Sequence, residues 1–124
     1  MLWDRTRRLL VVDDDEGNRF AIAELLREEG FEVREAADGV DAISVIDGWC
    51  PDVVITDLLM PRMDGERLIA HLRQSCPQLP VVVMTANSML DAERAVHRLG
   101  VEGYLHKPLL FCALLEQVRS AVAA

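Results

Sequence analysis

Four short apolar runs in this sequence each lead to residues able to do chemistry. Leu9-Leu10-Val11-Val12 stops at Asp13-Asp14-Asp15, and Val53-Val54-Ile55-Thr56 stops at Asp57. Val81-Val82-Val83-Met84 stops at Thr85, and Gly103-Tyr104-Leu105 runs out just before Lys107-Pro108. Acids, a hydroxyl and an amine suit a hard cation and a phosphate. Like charges gathered in a partly closed site repel and raise one another's pKa, so such a cluster persists only with a compensating cation. Magnesium fits best, because it takes a hard oxygen shell of carboxylates, waters and phosphate oxygens, and the cluster lacks the His and Cys ligands that zinc favours. Calcium is less apt: an EF-hand draws its ligands from one loop of about twelve residues, a pattern that Asp13-Asp14-Asp15-Glu16-Gly17 does not supply.

An Asp carboxylate can itself accept a phosphoryl group and form an aspartyl phosphate, with a metal neutralising charge along an in-line transfer. Asp57 is the natural acceptor, while Lys107 offers a mobile point charge and Thr85 a hydroxyl donor for the extra phosphoryl charge. Each has an ordinary reading when taken alone. A strand-end Asp commonly caps a helix or shapes a turn, a strand-end Thr bonds locally, and a lone Lys sits in water. Their joint placement is what points to a site.

That placement depends on the elements between them. After the first apolar run, Ile22, Leu25 and Leu26 recur at helical spacing before Gly30; Phe31 to Glu35 then reads as a strand. Val40, Ile43 and Ile46 mark a helix from near Asp38 to near Gly48. Leu68, Ile69 and Leu72 stripe a third helix, Ala92, Ala95, Val96 and Leu99 a fourth, and Phe111, Leu114, Leu115, Val118 and Val122 a fifth. Five strand-helix units with apolar strands predict an α/β domain, a parallel sheet covered by helices on both faces through right-handed crossovers. All carboxyl ends of such a sheet share one edge, so residues far apart in sequence can converge there. The strand order 2-1-3-4-5, known for doubly wound sheets and not dictated by these residues, would put Asp57 between Asp13 and Asp14 on one side and Thr85 on the other.

A chain of 124 residues, 51% hydrophobic and 27% charged, suits one folded domain with a substantial core. Its net charge of -8 disfavours nucleic acid and anionic membranes as direct partners. Arg5, Arg7 and Arg8 read as a solvated terminal cluster. The odd cysteines Cys50, Cys76 and Cys112 show no metal or disulfide spacing, no apolar stretch approaches bilayer length, and the opening lacks a signal-peptide core. The expected location is the cytoplasm.

Along Leu9 to about Val122 the chain resembles the receiver domain of two-component response regulators. Leu10-Val11-Val12-Asp13-Asp14 looks like that family's acidic strand end, and Asp57-Leu58-Leu59-Met60-Pro61-Arg62-Met63-Asp64-Gly65 like its phosphoacceptor loop. Val83-Met84-Thr85-Ala86 and Tyr104-Leu105-His106-Lys107-Pro108 resemble its other two signatures. The resemblance implies a flavodoxin-like (βα)5 fold and phosphorylation of Asp57 by a histidine kinase or histidine phosphotransfer protein. It implies Mg2+ bound directly by Asp14, Asp57 and the backbone carbonyl of Leu59, with Asp13 acting mainly through water. Thr85 and Lys107 would contact phosphoryl oxygens, Thr85 and Tyr104 would switch together, and Lys107-Pro108 would be a cis peptide. Leu59 and Asn87 sit where that family tunes phosphoryl lifetime; Leu59 cannot orient water, so the resemblance implies slow self-dephosphorylation.

Asp15 and Glu16 read as helix-start residues, and His71, His97 and His106 as surface or boundary histidines. Met60 and Met63 read as packing residues, with Trp3 covering a sheet edge or lying on the surface. The whole of 1–124, with its core about 8–122, is expected to be the receiver domain with no output domain. Output would pass through the face of the fourth helix, fifth strand and fifth helix, to a downstream protein or a second copy. An Asp-nucleophile phosphatase would need a second acid two residues after Asp57, where Leu59 stands, so the chain is not expected to be an enzyme beyond its own phosphoryl chemistry. A phosphate-independent interaction domain would not need the intact acids, threonine and lysine.

Overall fold

The computed structural model describes residues 6–58, 60, 62–86, 94, 97–107 and 110–123. Trp3, Arg5, Leu59, Asn87, Pro108 and, from the expected fourth helix, Ala92, Ala95 and Val96 lie outside the described residues.

The elements run β1 (Arg8–Val12), α1 (Glu16–Glu28), β2 (Glu32–Ala36), α2 (Gly39–Trp49), β3 (Val53–Asp57), α3 (Gly65–Ser75), β4 (Val81–Thr85), β5 (Gly103–His106) and a C-terminal helix (Phe111–Ala123). Of the fourth expected helix, Arg94 and residues 97–99 are described, and all are helical. The sheet has 5 parallel strands in the order β2-β1-β3-β4-β5, which bears out the doubly wound architecture. β3 and β4 are buried at every position, as strands covered on both faces must be. The edge strand β2 is only partly covered instead: Val33 and Ala36 are buried on opposite faces, while Glu32 and Arg34 are exposed.

Two apolar layers flank the sheet. Leu10, Val12, Val54 and Val83 pack with Ala42, Ile46, Leu68, Ile69 and Leu72 on the α2 and α3 side. Leu9, Val11, Ile55 and Met84 pack with Ile22, Leu26, Leu114 and Val118 on the side of α1 and the C-terminal helix. Burying one such Leu or Ile contributes about 1.5–3 kcal/mol, and strand alternation decides which layer each joins. Met60 and Met63 pack on the first layer.

Helix starts follow local chemistry. Asp15, Asp38 and Asp64 each accept a hydrogen bond from the backbone N–H three residues on, as N-caps do. Asp15 is thus a helix-start residue with Glu16 in the first turn. Gly30, at φ +97, takes the left-handed position that ends α1.

Several local expectations shift. β2 runs one residue later than the apolar pattern suggested, because Glu32 N–H pairs with the Arg7 carbonyl and starts the ladder there. α2 continues past Gly48 to Trp49, since Cys50 adopts φ 55 and closes the helix by donating to the Ile46 carbonyl. Val40 and Leu25, counted on apolar helix faces, are 43% and 39% exposed. Arg8 is not a solvated terminal charge: its guanidinium donates to the Trp49 carbonyl and faces that indole. His71 and His97 are exposed; His106 is half-buried, its buried Nε2 without a hydrogen-bond partner among the described residues. No helix is long and apolar enough to cross a membrane among the described residues.

Candidate functional site

Parallel pairing sets the strand ends level. Val12 lies beside Thr56, Asp57 beside Met84, and Thr85 beside His106. The residues that follow β1 and β5 therefore meet the last residues of β3 and β4 at one edge. Asp13 and Thr85 are fully buried there, Asp57 is 7% exposed, and Asp14 faces solvent.

Lys107 is the centre of this edge. Its Nζ donates to Asp57 Oδ2 at 2.6 Å and to Asp13 Oδ2 at 2.9 Å, while its backbone N–H donates to the Thr85 carbonyl at 2.8 Å. Burial alone would lower the lysine's pKa, but the hydrogen bonds and charges of Asp57 and Asp13 outweigh it and hold the pKa above the ordinary lysine value. Part of the compensating charge that the sequence assigned to a metal is thus supplied by the chain itself.

Asp13 is further held by the backbone N–H of Asp15 at 3.0 Å and the Asn18 side-chain amide at 2.9 Å. Arg19 Nη1 donates to the Asp13 carbonyl at 2.8 Å and its Nε pairs with Glu35. Sequence reasoning missed Asn18 and Arg19. The signal was present in the Asp15 cap, because a cap at Asp15 turns the first helical residues back over Asp13.

Behind Asp57, the Thr56 hydroxyl donates to the Asp57 carbonyl at 2.9 Å. Gly65 N–H donates to the Leu58 carbonyl at 2.9 Å, and a Cβ on Gly65 would lie 2.2 Å from the Asp57 carbonyl oxygen. The glycine lets α3 begin directly against the acceptor's backbone.

Asp13, Asp14 and Asp57 each offer a carboxylate oxygen, and these oxygens lie within 4.8 Å of one another. Three converging hard oxygen donors, one open to solvent, fit a hydrated divalent cation such as magnesium. Tyr104, two residues before His106 on β5, is half-buried and packs on the α2 and α3 side of the core. The structure therefore brings Asp13, Asp14, Asp57, Thr85 and Lys107 to one edge and sets Tyr104 further back along β5; Leu59 and Asn87 lie outside the described residues.

Comparison with known proteins gives the same picture. The family model of the response regulator receiver domain matches residues 9–119. The response regulator MprA of Mycobacterium sp. (strain KMS) is 37% identical over 113 residues, which span 91% of this chain and 49% of that protein. The sensor histidine kinase RcsC of Salmonella typhi is 40% identical over 106 residues, 86% of this chain and 11% of that protein. This chain thus spans about half the length of the first relative and a small part of the second. A crystal structure of a putative response regulator from Chloroflexus aurantiacus superposes with a TM-score of 0.91 at 34% identity, covering 97% of this chain and all of that one.

Proposed function

The chain belongs to the response-regulator receiver family, and from that membership we propose that it is a magnesium-dependent switch that Asp57 operates by accepting a phosphoryl group. The donor is the phosphohistidine of a histidine kinase or histidine phosphotransfer protein. An Asp57 carboxylate oxygen attacks phosphorus, the donor's P–N bond breaks, and the freed imidazole keeps the electron pair and takes up a proton. Asp14, Asp57 and the Leu59 carbonyl would hold Mg2+ directly and Asp13 through water; the ion, when bound, spreads the charge of the transferring oxygens. Lys107, already on Asp57, follows the charge onto the phosphoryl oxygens.

The observation that carries this reading is the Lys107 ammonium seated between Asp57 and Asp13, with Asp14 beside them. Thr85 then turns its hydroxyl to the phosphoryl group and Tyr104 moves toward the space left, biasing conformations that already exist. The altered face of the fourth helix, β5 and the C-terminal helix meets a downstream protein or a second copy. The three free cysteines suit the reducing cytoplasm.

Incubation with a small acyl phosphate tests the reading by intact mass. Wild type gains one phosphoryl group only with Mg2+, and Asp57→Asn gains none. A wild type that gains no mass overturns it. The apolar Leu59 makes the adduct persist: Leu59→Asn shortens its half-life, whereas an unchanged half-life in Leu59→Asn and Asn87→Ala contradicts lifetime tuning at these positions.

A further inference from the structure

Arg62 lies in the loop between the acceptor and α3 at φ 60, the left-handed region that L side chains rarely adopt. Glycine or asparagine would fill such a position with less strain, and a strained arginine persists only where its surroundings hold it. Here the surroundings are a fork. Arg62 Nε donates to Asp38 Oδ2 at 2.6 Å, and Nη2 donates to Asp38 Oδ1 at 3.1 Å and to Asp41 Oδ1 at 2.9 Å. Asp38 is itself buried and caps α2 by accepting from Asp41 N–H at 3.0 Å. The hydrogen bond from Arg62 keeps its carboxyl below the usual carboxylate range against the opposing effect of burial.

A backbone contact also pins the loop. Gly39 N–H donates to the Met63 carbonyl at 2.9 Å, and a Cβ on Gly39 would come within 2.8 Å of that oxygen. The first turn of α2 therefore presses on the loop directly, with the Met63 side chain against Gly39, and Arg62 adds a charged tie. Asp57 stands at the start of this loop, and the Gly65 N–H to Leu58 carbonyl hydrogen bond draws its two ends together.

We propose that Arg62 is a positioning residue for the acceptor site: its fork onto Asp38 and Asp41 fixes residues 62–65, and with them the start of α3 against the Asp57 backbone, so that the Asp57 carboxylate is set for Mg2+. This rests on the reading of Asp57 as a magnesium-dependent acceptor. The tie works through geometry and touches no reacting atom.

Mg2+ titration of the unphosphorylated chain by calorimetry tests it. Arg62→Ala raises the Mg2+ Kd about tenfold, the size of effect seen when groups that orient metal ligands are lost. Arg62→Lys recovers only part, because one ammonium cannot fork. Asp38→Asn keeps a competent helix cap but weakens the tie, and adding it to Arg62→Ala causes little further loss. Arg62→Gly separates positioning from bulk stability: it relieves the backbone strain, so it keeps the weakened Mg2+ binding without a matching fall in Tm. A wild-type Kd retained within twofold by both Arg62→Ala and Arg62→Gly overturns the inference. If wild type itself binds no Mg2+ and gains no phosphoryl group, the underlying reading of Asp57 fails instead.

Discussion

The two edges of the sheet both hold ionic groups, but they are built to opposite rules. At the amino edge the charges of Arg8, Arg34, Arg73, Glu32 and Glu102 are matched. Arg8 faces the Trp49 ring, donates to the Trp49 carbonyl and pairs with Glu32, while Arg34 covers the same ring at 4.8 Å. Arg73 donates to the Leu79 and Gly100 carbonyls and to Glu102, which in turn accepts from Val81 N–H. At the carboxyl edge three carboxylates converge and one ammonium bonds two of them. Matched charges hold the fold together, whereas an acid excess is tolerated where a further cation is to bind.

If that contrast is right, substitutions at the amino edge cost stability and spare phosphorylation, and those at the carboxyl edge do the reverse. Trp49→Ala should show the largest stability effect, about 3–5 kcal/mol in urea unfolding, because a nearly buried ring is lost together with its stacking. The folded fraction should still take up one phosphoryl group. Arg73→Met should cost about 1–3 kcal/mol, since part-buried carbonyls lose a charged donor. Unchanged unfolding midpoints in both would erase the contrast.

At the carboxyl edge, Asp14→Asn removes one acid from the excess. Its stability should stay within about 0.5 kcal/mol of wild type or rise, while calorimetric Mg2+ binding falls sharply. A large loss of stability there would mean that the acids are structural.

Asp38 is the instructive exception, a matched acid at the unmatched edge. Its folded pKa lies below its ordinary value of 3.8, so the pair stabilises at neutral pH and that contribution is lost as pH falls through the folded pKa. Asp38→Asn should flatten stability against pH on the acid side of about pH 4. This effect is the smallest, because Arg62 is more than half exposed and water screens the pair. A slope equal to wild type would remove Asp38 from the matched class.

Much of this was legible in the sequence because it is local or periodic. Strand runs, apolar helix faces and the Asp15 and Asp38 caps each leave a signature within a few residues. That Asp13, Asp57, Thr85 and Lys107 share one edge followed once parallel strands were inferred, whereas their neighbourhood needed the strand order, which these residues do not dictate. What escaped depends on partners far apart in the chain. Arg62 and Asp38 are 24 residues apart, and Arg8 and Trp49 are 41, and no spacing rule links such pairs. The end of α2 escaped because Cys50 takes the left-handed turn that glycine usually supplies. That Lys107 holds the acids themselves was also hidden, since a lysine's reach is set by tertiary contact.

The central claim is that Asp57 becomes the aspartyl phosphate. Wild type loaded with an acyl phosphate and Mg2+, then reduced with borohydride and mapped by peptide mass spectrometry, tests it directly. Reduction turns an aspartyl phosphate into homoserine, and the account predicts homoserine at residue 57 alone. Homoserine at Asp13 or Asp14, or phosphate retained on a histidine, would contradict it.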